Sequence, residues 1–127
     1  RLGMLVFHPG VTPEYRGTHP AFWAVLNRDF SRIGWSLLRI DVGVDTGSLL
    51  AQGSAGNADP LTESHMFLAH KAHVEGLPGV VETLRKLQAG EHPGVSTEGR
   101  QSHNYTHPGW TDYLEYRKVL KQLRRAR

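Results

Sequence analysis

The chain has 127 residues, with 15 Lys and Arg against 12 Asp and Glu for a net charge of +3. That length suits one compact domain and leaves no room for two, and so mild a basic balance does not by itself argue for nucleic acid. Cysteine is absent, which excludes disulfides, thiolate zinc sites and a cysteine nucleophile. No run approaches the roughly 20 apolar residues that span a bilayer, so a soluble cytoplasmic protein without membrane partners is expected.

Leu2 to Phe7 reads as a short buried strand, a continuous apolar run closed by His8-Pro9-Gly10. Such a run so soon after Arg1 suggests that an N-terminal segment is missing. Pro9, Gly10, Pro13 and Gly17 then punctuate a loop in which neither helix nor strand persists, with Thr12-Pro13 a candidate cis peptide. From Pro20, Phe22, Val25 and Leu26 recur at helical spacing. Trp35 to Asp41 is a second strand, and Ser48 to Gln52 is a third that can pair with it.

Asp59-Pro60 predicts a helix start, with Asp59 as cap and the helix running to about His73 or Glu75. Leu61, Leu68, Ala69 and Ala72 are expected to face inward. Pro78 should open a separate helix with Val80, Leu84 and Leu87 on one face and Gly90 as its stop. Residues 91–109, rich in Gly, Pro, Ser, Thr and His, read as an irregular excursion. A strongly basic helix over 110–125 closes the chain. His-Pro-Gly occurs at His8, His92 and His107 without a fixed period, which is turn chemistry and not a repeat.

The chemistry is concentrated in HPGVTPEYRGTHPAFWAVLNRD and the IDVGVDTG segment. His8, Pro9, Gly10, Pro13, Tyr15, Arg16, Gly17, Asn27, Asp29, Asp41, Gly43, Asp45, Thr46 and Gly47 stand in the order and spacing of a family motif. On those residues the chain resembles the folate-dependent formyltransferases, among them the methionyl-tRNA, glycinamide ribonucleotide and sugar-nucleotide enzymes. The match is close over residues 8–52, loose over 61–90 and no more than compatible beyond Ser102.

The resemblance implies a partial Rossmann-like α/β fold, a short sheet with flanking helices. It divides into a catalytic-loop half-domain at 1–90 and an irregular segment with a basic helix at 91–127. It implies 10-formyltetrahydrofolate as formyl donor, an amine as acceptor, and His8 and Asp45 as catalytic residues meeting at one sheet edge. Gly43, Val44, Thr46 and Gly47 would lie against the folate. Pro9, Gly10, Tyr15, Arg16, Gly17 and His19 would lie toward the acceptor, with loop anchoring an equal reading for Tyr15, Arg16 and Gly17.

Formyl transfer to an amine passes through a tetrahedral oxyanion, which calls for a donor aimed at that oxygen and a group that handles the amine proton. A histidine beside a carboxylate can do both. The third member of the family triad, an Asn two residues before the His, is replaced here by Val6, which has no donor to offer. Loss of one oxyanion donor costs roughly a hundred- to a thousand-fold in turnover, so impaired catalysis is expected, or a silent remnant that only binds. Asp41 reads as a turn cap. His65, His70 and His73 share a helix without completing a metal ligand set, and no metal is expected. The tail YLEYRKVLKQLRRAR reads first as a solvated helix face and second as a contact for RNA phosphates.

Overall fold

The structure, a computed structural model, describes residues 3–40 and 48–127. Leu5–His8 (β1), Gly34–Arg39 (β3) and Leu49–Ser54 (β4) form an antiparallel sheet of order β1-β3-β4. Between β1 and β3 come the two-residue strand Arg16–Gly17 (β2), the helix Pro20–Leu26 (α1) and a single 3-10 turn, Phe30–Arg32. Beyond the sheet lie the helix His65–Gln88 (α2), the two-residue strand Asn104–Tyr105 (β5) and the helix Trp110–Ala126 (α3).

Strand alternation gives the sheet two chemically different faces. In β1 and β3 Phe7 stands opposite Leu37, and Phe7 meets Trp35 edge to face at 5.9 Å between ring centroids. This is the face that α2 covers. A Cβ on Gly76 or Gly79 of α2 would sit 2.7 or 2.6 Å from the Trp35 indole, so only glycine lets the helix come this close. On the other face Val6 stands opposite Leu38 and His8 opposite Ser36, which in turn stands opposite Gln52. The core contains Phe22, Val25, Ile33, Leu37, Leu68 and Ala72, with Phe22 stacked on Tyr116 of α3 at 4.7 Å.

Two expectations for the helices are corrected. Asp59 caps only a turn: its carboxylate accepts from Leu61 N and Thr62 Oγ1, while the helix begins after Ser64, whose Oγ accepts from Phe67 N at 3.2 Å. The anticipated pair of helices is also one, running through Pro78. Proline removes a single helical hydrogen bond, at a cost of about 3 kcal/mol. Here it lies on the exposed side, and Gly76 and Gly79 on either side of it both pack on Trp35, so burial holds the two halves in one line. Leu68 and Ala72 face inward as expected, whereas Leu84 is exposed.

Residues 91–109 are irregular but tied down at each end. Val95 N donates to Leu49 O at 2.9 Å beside β4, and His103 N donates to Pro13 O at 3.0 Å. β5 then pairs in parallel with β2, Arg16 opposite Asn104 and Gly17 opposite Tyr105. Gly17 has φ +92°, and a Cβ there would lie 2.0 Å from Tyr105 O, so this pairing requires glycine.

Candidate functional site

His8 ends β1 and is buried. Its Nε2 lies 2.9 Å from Tyr15 O. A carbonyl oxygen only accepts, so Nε2 carries the hydrogen. Nδ1 is then an acceptor in the neutral ring and a donor only in the imidazolium. Val6, two residues earlier, projects from the same face of the strand, so a carboxamide at that position would stand beside His8.

The loop after His8 hangs on Ser36, fully buried in β3. Ser36 Oγ donates to Gly10 O at 2.7 Å and accepts from Thr12 N at 3.0 Å and Gln52 Nε2 at 3.3 Å, which uses the whole capacity of a hydroxyl. Gly10 leaves no room for a side chain, since a Cβ would lie 2.5 Å from Pro20 Cβ and 3.0 Å from His8 Nε2. The Thr12-Pro13 bond is cis, as the turn chemistry anticipates.

A second clamp comes from the distant segment. Arg100 reaches Glu14 with Nε at 2.9 Å and Nη2 at 2.6 Å, Gln52 Oε1 with Nη1 at 2.7 Å, and Thr12 O with Nη2 at 2.9 Å. Burial would raise the Glu14 carboxyl most, but the hydrogen bonds from Arg100 and a backbone N–H, with the charges of Arg100 and Arg32, together outweigh it and hold the group below its ordinary range. Nothing in the tail beyond Arg100 signals this contact. A buried serine inside the apolar strand WSLLRI, on the parity that faces His8, is the one clue to Ser36.

Tyr15 is an anchor. Its hydroxyl donates to Asp29 Oδ2 at 2.8 Å, its ring stacks on Tyr105 at 5.5 Å, and Asn27 Nδ2 donates to Tyr105 Oη at 2.9 Å. Burial first, then the Asp29 carboxylate, pushes the Tyr15 phenol above its usual range despite an opposing bond from Asn27. Motif residues Tyr15, Asn27 and Asp29 thus hold the loop against α1 and β5. His19, with φ 49°, precedes α1. Its ring lies 5.7 Å from His65 and 5.2 Å from His107, and the described residues contain no cluster that could hold a metal.

Arg16 and Pro13 line an open cleft of about 830 Å³ with Thr12, Leu38, Ser96 and Thr97. Arg16 Nε donates to Ser102 Oγ at 2.9 Å. Ser48, the first described residue after position 47, also lines it, while His8 and Pro9 do not. Asp41, Gly43, Val44, Asp45, Thr46 and Gly47 lie outside the described residues, and with them the expected meeting of Asp45 with His8. No helix among the described residues is long and apolar enough to cross a membrane.

Comparison with known proteins places this geometry. A methionyl-tRNA formyltransferase of Agathobacter rectalis is 36% identical over 90 residues, covering 71% of this chain and 28% of that protein. A GDP-perosamine N-formyltransferase of Brucella melitensis biotype 1 is 31% identical over 101 residues, covering 80% and 38%. The chain therefore spans well under half of these relatives. An N-formyltransferase of Helicobacter canadensis, solved with folinic acid and dTDP-3-aminofucose, superposes with a TM-score of 0.69 at 14% identity, covering 94% of this chain and 49% of that one. The α/β arrangement is thus the Rossmann-like formyltransferase fold in part. The profile of the family described as formyl transferase matches residues 1–84, and the chain belongs to that family.

Proposed function

We propose that this chain carries the His8 side of a site that transfers a formyl group from 10-formyltetrahydrofolate to an amine in the cytoplasm. The observation that supports this most is the placement of His8 at the end of β1, its Nε2 held on the Tyr15 carbonyl. A ring fixed in one tautomer is what directional proton transfer needs. In the proposed reaction the acceptor nitrogen attacks the formyl carbon and a C–N bond forms, giving a tetrahedral oxyanion. The nitrogen loses its proton, the oxyanion collapses back to a carbonyl, and the bond from the formyl carbon to the folate nitrogen breaks, that nitrogen leaving with the proton the acceptor nitrogen gave up.

In this reading neutral His8 takes the amine proton at Nδ1, and the resulting imidazolium faces the developing negative charge. Asp45 supports the imidazolium, and Gly43, Val44, Thr46 and Gly47 let the backbone approach the pterin. The cleft beside Arg16 receives the acceptor, the guanidinium suiting a planar or phosphorylated anion. Pro9, Gly10, Tyr15, Gly17 and His19 hold or border that side. Val6 supplies no oxyanion donor, so turnover is expected to be low.

The test is formyl transfer from 10-formyltetrahydrofolate to small amines by the purified chain, compared with His8→Ala and Val6→Asn. The proposal expects weak activity that disappears in His8→Ala and rises at least about ten-fold in Val6→Asn, since one donor is worth a hundred-fold or more. Absence of both folate binding and turnover in Val6→Asn overturns it in favour of a domain that has lost the reaction.

A further inference from the structure

The basic residues of α3 fall into two sets. Arg124 donates Nε and Nη2 to Leu61 O at 3.0 and 2.7 Å, and Arg127 lies 3.4 Å from Asp59, so both are engaged with the turn before α2. Arg117, Lys118, Lys121 and Arg125 are exposed, and no hydrogen bond or ion pair joins these four to any described residue. Their spacing gathers them. Residues 117, 121 and 125 follow one another a helical turn apart, about 6 Å per step, and 118 lies seven before 125. They flank an open groove of about 650 Å³ with Leu120.

The same ridge continues toward the helix start through Leu114 and Trp110, which are 53% and 74% exposed, in steps of three and four residues. Asp112 accepts from Gly109 N at 2.8 Å at the helix start, and Glu115, three residues before Lys118, borders the ridge on that side but forms no ion pair with any of the four cations among the described residues.

We propose that this ridge binds single-stranded RNA, with backbone phosphates on the four cations and an unstacked base on Trp110. Cations without partners among the described residues, aligned on one helix, are an electrostatic footprint for a polyanion. An exposed indole at the end of the row adds a stacking platform, which only unpaired bases can use. An anionic membrane fits less well, because helices that lie in a bilayer surface bury a continuous apolar face. The apolar side of α3, including Tyr116 and Val119, is already buried, and the large apolar side chains that α3 exposes, Trp110, Tyr113 and Leu114, are confined to its first half. The inference does not depend on formyl transfer at His8.

The test is fluorescence anisotropy of a short labelled single-stranded RNA with the whole chain across a salt series. Four phosphate contacts at about 0.7 each give an expected slope of log affinity against log salt of about −2.8. Each single change among Arg117→Gln, Lys118→Gln, Lys121→Gln and Arg125→Gln should reduce the slope by about 0.7, and the fourfold variant should abolish binding while its circular dichroism is unchanged. Trp110→Ala should weaken binding roughly ten-fold with the slope preserved, whereas Arg85→Gln with Lys86→Gln on α2 should change nothing. RNA retention that survives the fourfold variant or ignores salt overturns the proposal. So does tighter binding to duplex RNA, to single-stranded DNA of the same sequence, or to phosphatidylserine vesicles.

Discussion

Arg100→Ala removes the clamp that joins the late segment to the loop after His8. The Arg100 side chain is 24% exposed and that of Glu14 12%, so neither is a freely solvated surface charge. Hydrogen bonds to charged groups contribute about 1.5–3 kcal/mol each, but the freed side chain regains rotamer entropy and water re-solvates part of the guanidinium. A net loss of about 2–3 kcal/mol follows, near 10 °C in Tm for a domain of this size. Glu14 gives the loss a pH signature. Its folded carboxyl lies below the ordinary value of 4.5, so the pair contributes fully above 4.5 and fades as pH falls through the lower folded value. Urea titrations of wild type and variant should show midpoints well separated at neutral pH with equal slopes, converging in acid. Arg100→Lys keeps the charge but not the fork and should recover no more than about 1 kcal/mol. A difference under about 0.5 kcal/mol at neutral pH, or an equal loss in acid, would refute the clamp.

Ser36→Ala strands Thr12 N and Gly10 O in the interior and should cost about 2–4 kcal/mol by chemical denaturation; Ser36→Thr is no rescue if the added methyl overpacks. Gly17→Ala, blocked by Tyr105 O, should cost at least about 2 kcal/mol and speed proteolysis within 91–105 as β5 detaches. Tyr116→Phe should be neutral or stabilising by up to about 1 kcal/mol, because the buried hydroxyl has no partner among the described residues. In the parent, burial pushes that phenol up to about 12, readable in an ultraviolet titration. His65 is held below 6.5 by burial first and by His19 second, so its contribution is full above 6.5 and lost as pH falls through the folded value. His65→Gln should flatten the stability profile on the acid side of 6.5, and an unchanged profile would count against this account.

What the sequence reveals follows from how local each determinant is. The apolar run ending at His8, the cis bond at Thr12-Pro13 and the spacing of Phe22 and Val25 are set by neighbours along the chain, and all recur in the structure. Pro78 misleads because its local preference is overridden by a distant indole that grips Gly76 and Gly79. Asp59 misleads because its side chain serves one turn while Ser64 caps the helix. Arg100 is invisible in the sequence because its partners Glu14, Thr12 and Gln52 lie 86, 88 and 48 positions away. Within the candidate site, the position of His8 was legible, but the nitrogen committed to Tyr15 O was not, because tautomer choice depends on tertiary contact.

That commitment bears on the absent carboxamide. With Nε2–H held by Tyr15 O, neutral His8 has no second hydrogen to offer, and Val6 on the same strand face has none at all. Of positions 6 and 8, neither offers a formyl oxygen a donor until the ring takes a proton at Nδ1. In the proposed reaction the histidine acts as base before it acts as donor, so proton removal from the amine and stabilisation of the oxyanion become sequential demands on one ring. A family site with Asn at this position has the donor in place before attack. Restoring it in Val6→Asn should therefore raise kcat more than it changes KM, because the new hydrogen bond strengthens as charge develops on the oxygen. A gain confined to KM would mean that the carboxamide binds the ground state, and that the division of labour between positions 6 and 8 is not the one derived from this strand.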